Sequence, residues 1–542
     1  MQHGHHIWNH LWKEHHRAKD LLTFASSHTP EIPSQTSQKN TSITSGPEPS
    51  YDKRKLTGLI LGPALFLSLM LFFHPNGLSN AGLAVLASTA WIATWWITEA
   101  IPIPATSLLP LILFPLSGGL KGDLTASAYG DNTIFLFMGG FLIALSMQKW
   151  DLHKRIALFI ISAIGTSTER IVLGFMVATG FLSMWISNTA TAMMMVPIGL
   201  AVIYQVSDQL ELDTDKGPPS FNFGKAIMLG IAYSASIGGL ATLIGTPPNT
   251  IFAAVVNELY GIEISFARWM MFGVPLTVLL LFGCWYYLVK MAFPMKIKEL
   301  PGGKEVIAKE RKDLGRMSVE ESVILTIFSL TALAWISRSF VLSDLNPNIN
   351  DTVIAMTAAL LLFLIPAPSK RGEFLLDWQT AKGLPWGILL LFGAGLAIAS
   401  GFQESGLAKW IGEQLTVLEG IHLFIILLLV TTLVIFLTEI TSNTATATMM
   451  FPIMASLSAA IGVHPYALMI GAGIASSCAF MLPVATPPNA VVFGSGYLKI
   501  PDMARAGFWL NLTSIVVITL AIYFYMPIVW GIDLTQFPDT LK

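Results

Sequence analysis

Long apolar segments, separated by short polar stretches, run through most of the chain. About 17–25 apolar residues are enough to cross a bilayer as a helix. Segments of this kind lie near residues 57–73, 80–98, 101–118, 268–294, 320–342, 351–368, 421–437 and 508–530. Only 12% of the residues are charged, about half the share that is usual in a soluble domain. The pattern therefore predicts an all-α polytopic membrane protein embedded in the lipid bilayer.

A short polar motif occurs twice inside this apolar sequence. SNTATAMMMVPI and SNTATATMMFPI are identical at ten of their twelve positions. Each copy follows a glycine-containing apolar segment and a short polar segment, and each precedes a TPPN motif. In this order the copies are Phe135–Ser146 and Leu389–Ser400, Trp150–Ile160 and Ser405–Leu415, Ser187–Ile198 and Ser442–Ile453, and Thr246–Asn249 and Thr486–Asn489. The two halves of the chain are therefore copies of one structural unit.

The repeat predicts how the chain crosses the membrane. Each half has about five crossings, and a repeat with an odd number of crossings enters the membrane inverted relative to its copy. We interpret the glycine-containing segments as re-entrant hairpins. We interpret the SNT motifs as discontinuous helices broken at Ser-Asn-Thr, because these side chains compete for backbone hydrogen bonds and a proline follows. The expected fold is an inverted-topology repeat of about eleven transmembrane segments with two hairpins and two discontinuous helices.

Charge and composition divide the chain into five parts. Residues 1–55 are expected to form a largely disordered cytoplasmic tail and 296–318 a cytoplasmic linker, because both contain many Lys and Arg residues. A first transmembrane half, 56–295, lies between them and includes an extra leading span outside the repeat. The second transmembrane half is 319–532, and residues 533–542 form a C-terminal tail.

Histidine and cysteine change this interpretation little. Seven of the eleven histidines lie in the N-terminal tail. They could belong to a metal or pH sensor, but a tail of mixed composition is the favoured interpretation. Cys284 and Cys478 both lie in apolar segments, so we expect them to be buried small side chains. Nothing in the charge pattern indicates a nucleic-acid partner.

The repeated motifs have the chemistry of an ion and anion site. A helix that begins inside the membrane presents free N–H groups and a positive dipole end, which favour a carboxylate. A helix that ends there leaves free carbonyls which, with Ser, Thr and Asn oxygens, suit a hard cation such as Na⁺. Neither motif contains Lys or Arg. Bound cations and helix dipoles must then supply the positive charge, which favours cation-coupled anion uptake.

Two glutamates adjoin the motifs or a span end. Glu439 lies directly before the second SNT motif, and Glu99 ends an early span. A carboxylate in the membrane marks a functional site by default, and Glu439 would suit proton coupling. The equal alternative is a structural carboxylate paired with backbone or with a loop Lys.

Four stretches of the chain, three of which contain these motifs, resemble sequences of a known family. FLSMWISNTATAMMMVPI, FLTEITSNTATATMMFPI, ATLIGTPPN and WWITEAIPIPATSLLP are similar to sequences of the divalent anion:sodium symporter family, over roughly residues 57–530. The resemblance implies an elevator-type transporter, a homodimer, and Na⁺ as coupling ion with no organic cofactor. Its members carry di- and tricarboxylates or sulfate, and some are sodium-independent exchangers.

The resemblance also implies site residues. A first sodium site would use Ser183, Ser187, Asn188 and Gly245. A second would use Thr438, Thr441, Asn443 and Ala485. The substrate would contact Asn188, Thr189, Asn443, Thr444, Thr246, Pro247, Thr486 and Pro487. Hairpin tips at Gly139, Gly140, Gly393 and Ala394 would close around these sites.

The expected function is sodium-coupled symport of C4-dicarboxylates such as succinate, malate and fumarate, in a multi-pass protein of the cell inner or plasma membrane. A sodium-independent exchanger or a proton-coupled carrier is the alternative, and citrate and sulfate are less favoured substrates. Two functions from other classes are also considered. An anion channel is retained as an alternative, whereas an intramembrane hydrolase is disfavoured because the repeats contain no paired His. We therefore predict a transporter and not an enzyme.

Overall fold

A computed structural model describes residues 52–165, 167–209, 222–295 and 303–541. Most of the predicted tail, and the first residues of the predicted linker, lie outside these ranges. Within them the chain is almost entirely helical, and the β structure consists of isolated bridges such as the one between Pro366 and Phe374. The division into five parts stays a prediction.

The helices follow one another with short connections. In chain order they are α1 Lys53–Phe72, α2 Asn80–Thr98, α3 Ile103–Thr106, α4 Pro110–Ser117, α5 Gly122–Ser127, α6 Asn132–Lys149, α7 Leu152–Ile164, α8 Thr168–Ser183, α9 Asn188–Gln209, α10 Asn222–Gly239, α11 Pro247–Tyr260, α12 Phe266–Tyr286, α13 Gly303–Asp313, α14 Val319–Ser337, α15 Ser343–Leu345, α16 Asp351–Leu364, α17 Trp378–Ala381, α18 Trp386–Glu404, α19 Leu407–Leu415, α20 Leu423–Thr438, α21 Asn443–Ala460, α22 Pro465–Ser476, α23 Pro487–Gly494, α24 Ile500–Leu520 and α25 Met526–Trp530. Short π-helical turns extend α12 (Tyr287–Ala292), α14 (Arg338–Leu342) and α24 (Ala521–Tyr525), and 3₁₀ turns occupy Ala128–Gly130, Thr416–Leu418 and Asp539–Leu541.

Eight helices in the described part of the chain are long and apolar enough to cross a membrane. Most of the predicted spans are among them. The segment 101–118 instead forms α3 and α4, because prolines interrupt it, and a proline inside a helix removes a hydrogen bond and clashes with the preceding turn. The predicted spans 351–368 and 421–437 correspond to the shorter helices α16 and α20.

Helices α8 and α10 run parallel to each other. Gly238 near the end of α10 packs against the backbone of Gly180 near the end of α8, and Gly230, earlier in α10, packs against Met176, earlier in α8. Contacts that advance together along both helices define a parallel pair. Gly238 leaves room for this approach because a β-carbon there would overlap the backbone of Gly180.

Helix α9 runs antiparallel to α10. Gly199 of α9 contacts Met228 of α10, whereas Ile203, further along α9, contacts Gly224, which is earlier in α10. Because α8 is parallel and α9 antiparallel to the same helix, the chain reverses direction between α8 and α9. These two helices therefore form a re-entrant hairpin, with residues 184–187 as its tip.

The second repeat has the same arrangement. Thr438 at the end of α20 donates a hydrogen bond of 2.8 Å to the carbonyl of Ser476 at the end of α22. Leu427, earlier in α20, packs against Gly471, earlier in α22. Helices α20 and α22 are thus parallel, while a short turn joins α21 to α22 and makes that pair antiparallel. A second hairpin is therefore formed by α20 and α21.

The glycine segments are not the hairpins, and this prediction was wrong. Gly139 and Gly140 lie inside the continuous helix α6, and Gly393 and Ala394 lie inside the continuous helix α18. Their small size serves close packing: a β-carbon at Gly139 would lie 2.7 Å from the Cβ of Ala355 in α16. Small residues allow such approach between membrane helices.

The two discontinuous helices are α10–α11, interrupted at 240–246, and α22–α23, interrupted at 477–486. Both resume at the Pro-Pro pair of a TPPN motif. Proline suits the first turn of a helix because its φ is already helical and its missing N–H would have had no partner there. Among the described residues there are two hairpins and two interrupted helices, as predicted, but SNT marks the hairpin tips and TPPN marks the interruptions.

In each repeat, the second half of the interrupted helix packs against the other repeat. Helix α23 of the second repeat packs against α9 and α10 of the first, and α11 of the first repeat packs against α21 and α22 of the second. Tyr233 of α10 also donates a hydrogen bond of 2.9 Å to the carbonyl of Phe480 in the second interruption. Through this reciprocal packing, each interrupted helix contacts helices of the other repeat.

Candidate functional site

Four helices begin inside the protein at the repeated motifs. Helices α9 and α21 start at Asn188 and Asn443 of the SNT copies, and α11 and α23 start at Pro247 and Pro487 of the TPPN copies. The first turn of each helix has N–H groups without an intrahelical partner and carries the positive end of the helix dipole. The motifs therefore concentrate positive potential without a basic side chain of their own.

Oxygen atoms cluster around Asn188 at the tip of the first hairpin. The Ser183 hydroxyl lies 2.6 Å from the Asn188 side-chain oxygen and 2.6 Å from the carbonyl oxygen of Ala235. The carbonyl oxygen of Gly245 lies 3.2 Å from the same Asn188 atom. Asn188 links the hairpin tip to the interruption of α10–α11.

Two orientations of the Asn188 amide fit the atoms of this cluster. If Oδ1 faces the cluster, it meets the Ser183 hydroxyl and two carbonyl oxygens, an all-oxygen arrangement that suits a hard cation. If the amide turns by half a rotation, Nδ2 donates to Gly245 at 3.2 Å and to Ala235 at 3.1 Å. The two orientations satisfy the cluster with and without a cation, respectively.

The second hairpin tip repeats this pattern. The Thr438 hydroxyl lies 2.8 Å from the Asn443 side-chain oxygen and 2.8 Å from the carbonyl oxygen of Ser476. Nearby, the Thr441 hydroxyl lies 2.6 Å from the hydroxyl of Thr446. Ser183 and Thr438 are each the last residue of the first hairpin helix. Both tips are therefore built from a terminal hydroxyl, an Asn side chain and a carbonyl of the interrupted helix.

The asparagines of the TPPN motifs brace the interruptions. The Asn249 side-chain amide donates to the carbonyl of Gly239 at 3.1 Å and to that of Thr242 at 2.8 Å. The Asn489 amide likewise donates to the carbonyls of Ala479 and Leu482, both at 3.0 Å. Carbonyls released by a helix break need such partners when they are buried.

Glu439 stabilises the second interruption only. Its carboxylate accepts backbone hydrogen bonds from Phe480 at 2.7 Å, Met481 at 2.9 Å and Leu482 at 3.1 Å, and a fourth from the side chain of Asn511 at 2.7 Å. The side chain is buried, at 3% exposure. Of the two interpretations of Glu439, these contacts favour a carboxylate paired with backbone.

Residues 53–532 match the family described as the sodium:sulfate symporter transmembrane region. The chain belongs to this symporter family. It is an integral, multi-pass membrane transporter and not an enzyme, and the predicted resemblance is confirmed.

Named relatives of this symporter are close in sequence. The sodium-dependent dicarboxylate transporter SdcS of Staphylococcus saprophyticus is 54% identical over 497 residues, which cover 91% of this chain and 95% of that protein. SdcS of Staphylococcus aureus strain USA300 is 53% identical over 495 residues, with the same coverage of both chains, 91% and 95%.

Solved structures with the same fold are more distant. Neisseria gonorrhoeae MtrF, described as illuminating a class of antimetabolite efflux pumps, has a TM-score of 0.54 at 12% identity and covers 88% of this chain and 96% of its own. The Alcanivorax borkumensis YdaH transporter, described as having an unusual topology, has a TM-score of 0.50 at 14% identity and covers 88% and 97%, respectively. At these identities the likeness concerns the fold alone.

In this symporter fold, the predicted site residues lie on three kinds of segment. Ser183, Ser187, Asn188, Thr189, Thr438, Thr441, Asn443 and Thr444 lie at or beside the hairpin tips, and Gly245, Thr246, Pro247, Ala485, Thr486 and Pro487 lie where the interrupted helices resume. The four residues predicted as tips of glycine hairpins lie elsewhere, inside α6 and α18. Asn188 contacts both Ser183 and Gly245 directly, and Thr438 contacts Asn443.

Sequence reasoning missed the role of Asn249 and Asn489. The chemistry predicted for the TPPN motifs rests on their Thr and Pro residues and gives the repeated Asn no function. Its recurrence at the same place in both copies is the available signal, because a side chain that must brace a break recurs with the break. The buried contacts of both amides supply the explanation.

Proposed function

We propose that this protein is a sodium-coupled symporter of C4-dicarboxylates such as succinate, malate and fumarate. The observation that carries the proposal is the pair of matching oxygen clusters, around Asn188 and around Asn443, at the starts of two helices. The names of the SdcS relatives support the same substrate class and the same coupling ion. On this proposal Na⁺ and the dicarboxylate are both cargo.

In the proposed mechanism each oxygen cluster takes one Na⁺. Ser183, Ser187, Asn188 and Gly245 form the first set of ligands, and Thr438, Thr441, Asn443 and Ala485 form the second. The cation replaces its hydration shell with hydroxyl, amide and carbonyl oxygens, which hard cations prefer. Two bound cations then place positive charge beside the helix starts where the anion binds.

Asn188 and Asn443 couple the cation to the anion. A cation that holds Oδ1 of the asparagine leaves the NH₂ group pointing away from the cluster, where it can donate to a carboxylate. Thr189, Thr444, Thr246 and Thr486 add hydroxyl donors, and Pro247 and Pro487 shape the edge of the site. Sodium therefore binds first, because it selects the amide orientation that the dicarboxylate requires.

The remaining features of the proposal concern the assembly and the membrane. The basic residues before α1 favour a cytoplasmic N-terminus by the positive-inside rule. Inverted repeats with half-helices that meet at a central site are typical of alternating access, and we propose an elevator-type motion within a homodimer. The plasma or inner membrane of the cell is the expected location.

The test is succinate uptake into proteoliposomes with and without an inward Na⁺ gradient. We expect uptake that requires Na⁺ and that competes with malate and fumarate more strongly than with citrate or sulfate. Uptake that is indifferent to Na⁺ but driven by internal dicarboxylate would replace the symporter with an exchanger. Uptake driven by a proton gradient would replace it with a proton-coupled carrier, and currents too large for a carrier would indicate a channel.

A further inference from the structure

Equivalent positions of the two repeats have opposite exposure. Trp185 at the tip of the first hairpin is 8% exposed, whereas Ile440 at the same place in the second tip is 60% exposed. Ile244 in the first interruption is 7% exposed, whereas its counterpart Val484 is 69% exposed. The first motif pair is therefore closed over and the second is open.

Different contacts hold the two tips. Trp185 packs between aromatic rings, with centroid distances of 5.0 Å to Phe328, 6.0 Å to Phe266 and 6.4 Å to Trp335. The second tip contacts Arg54, whose Nη2 donates to the carbonyl of Ile440 at 3.4 Å. The first tip thus has buried aromatic contacts, whereas the second tip, besides the buried hydrogen bonds of Glu439, has a polar contact at an exposed surface.

Arg54 links the second tip to two helices outside it. The same Nη2 also donates to the carbonyl of Ile97 in the last turn of α2, where a cation is favoured by the helix dipole. Arg54 itself lies in the first turn of α1, between the exposed residues Lys53 and Lys55. Three consecutive basic residues at a helix start mark the membrane boundary, so the open tip lies near water on this side.

We propose that Arg54 is a positioning residue that holds the second hairpin tip in the state open to the α1 N-terminal side of the membrane. The proposal deepens the proposed transport function and rests on it. A carrier must close this opening and open the other in each cycle, so the contact between Arg54 and Ile440 breaks and reforms once per turnover. Arg54 contacts neither the ions nor the dicarboxylate; it sets the population of one state.

The test is the accessibility of cysteines placed at the two equivalent positions. Val484→Cys and Ile244→Cys are made separately in the full chain, whose own Cys284 and Cys478 are buried. Each is combined with Arg54→Gln or with the matched control Lys55→Gln, which removes the same charge one residue away. A membrane-impermeant maleimide is applied from the α1 N-terminal side to the Val484→Cys proteins and from the opposite side to the Ile244→Cys proteins.

Arg54→Gln should slow the labelling of the Val484→Cys protein and speed the labelling of the Ile244→Cys protein. The ratio of the two labelling rates should change by roughly fivefold, the size expected for losing one typical hydrogen bond at an exposed surface. Lys55→Gln should change neither rate, and Arg54→Lys should restore part of the difference. Equal labelling rates in Arg54→Gln and Lys55→Gln would overturn the proposal.

A second measurement covers the case in which Arg54→Gln inserts poorly. Arg54→Cys with Ile440→Cys should be joined by a flexible bis-maleimide about as long as an arginine side chain, and the joined protein should stay open on the α1 N-terminal side. Failure to cross-link would also overturn the proposal. Both measurements use no dicarboxylate, so an error in the proposed substrate would leave them unchanged, while normal Na⁺-dependent uptake with unshifted labelling would remove only the role of Arg54.

Discussion

The carboxylate of Glu439 accepts a 2.7 Å hydrogen bond from the side-chain amide of Asn511. This contact connects the second hairpin tip to α24, and three backbone N–H groups of the interrupted helix complete the set of donors. All four partners of the Glu439 side chain are N–H donors, so an N–H group at this position would face other donors and find no acceptor. The arrangement therefore requires a carboxylate, and it excludes an amide of the same shape.

Glu439→Gln should abolish uptake and lower thermal stability, because the new NH₂ group faces N–H donors inside the protein. Asn511→Ala removes one of the four donors and should cost only about 1–2 kcal/mol in the free energy of unfolding. Thermal unfolding of the purified protein in detergent, together with uptake, checks both variants. A Glu439→Gln protein as stable and active as the parent would contradict the role assigned to these contacts.

Asn188→Ala and Asn443→Ala should each abolish Na⁺-dependent uptake while the protein still inserts and folds. Both changes remove a proposed cation ligand and the NH₂ group proposed to face the dicarboxylate, and neither removes a large apolar contact. Met193→Thr is the matched control, since it introduces the residue of the second copy at an exposed position of α9 and should leave uptake unchanged. Near-normal uptake in either Asn variant would show that the site lies elsewhere.

Asn249→Asp and Asn489→Asp should destabilise the protein by roughly 1–3 kcal/mol each, because a carboxylate cannot donate to the carbonyls that the amide braces. The loss should appear as lower maximal uptake with little change in the apparent affinity for Na⁺. Uptake as a function of Na⁺ concentration separates the two quantities. A large loss of Na⁺ affinity without a loss of stability would make these residues ligands.

His464 predicts a pH dependence of stability. Burial, with a smaller effect of Arg268 and against the opposing charge of Asp533, lowers the pKa of His464 from 6.5 to about 4. The folded protein thus binds this proton less readily than the unfolded chain, so the contribution is complete above pH 6.5 and is lost as the pH falls toward 4. Protonation would also remove the acceptor that Nδ1 provides to the N–H of Tyr466.

Unfolding followed between about pH 7 and 4 checks this prediction. The free energy of unfolding should fall across that interval in the parent and fall less in His464→Gln, whose side-chain oxygen can still accept from the Tyr466 N–H. Identical pH profiles for the two proteins would exclude His464 as the source of the change.

Much of the architecture follows from the sequence, and the errors have a physical cause. Apolar length and the duplicated motifs predict the spans, the two hairpins and the two interruptions, because these depend on hydrophobicity and repetition along the chain. Which motif forms the turn depends on partners elsewhere. The sequence around Gly139 predicts a turn, but this residue lies against Ala355, and a glycine that turns and a glycine that packs look alike in sequence.

The sequence likewise predicts where the candidate site lies, but not the contacts that hold its parts together. Helix-breaking residues and the lack of basic side chains indicate a cation and an anion near Asn188 and Asn443. The bracing of the breaks by Asn249 and the link from Arg54 to Ile440 depend on contacts across the fold. No local pattern encodes such contacts, so they become visible only in the folded chain.

The exchange of α11 and α23 between the repeats has a consequence for the origin of the chain. Each hairpin packs partly against the interrupted helix of its own repeat and partly against the half-helix of the other repeat, α23 against α9 and α11 against α21. A gene that encoded a single repeat would have produced a polypeptide that was complete only when two copies met in opposite orientations in the membrane. The reciprocal packing is compatible with an origin in an antiparallel pair of identical chains that a gene fusion later joined.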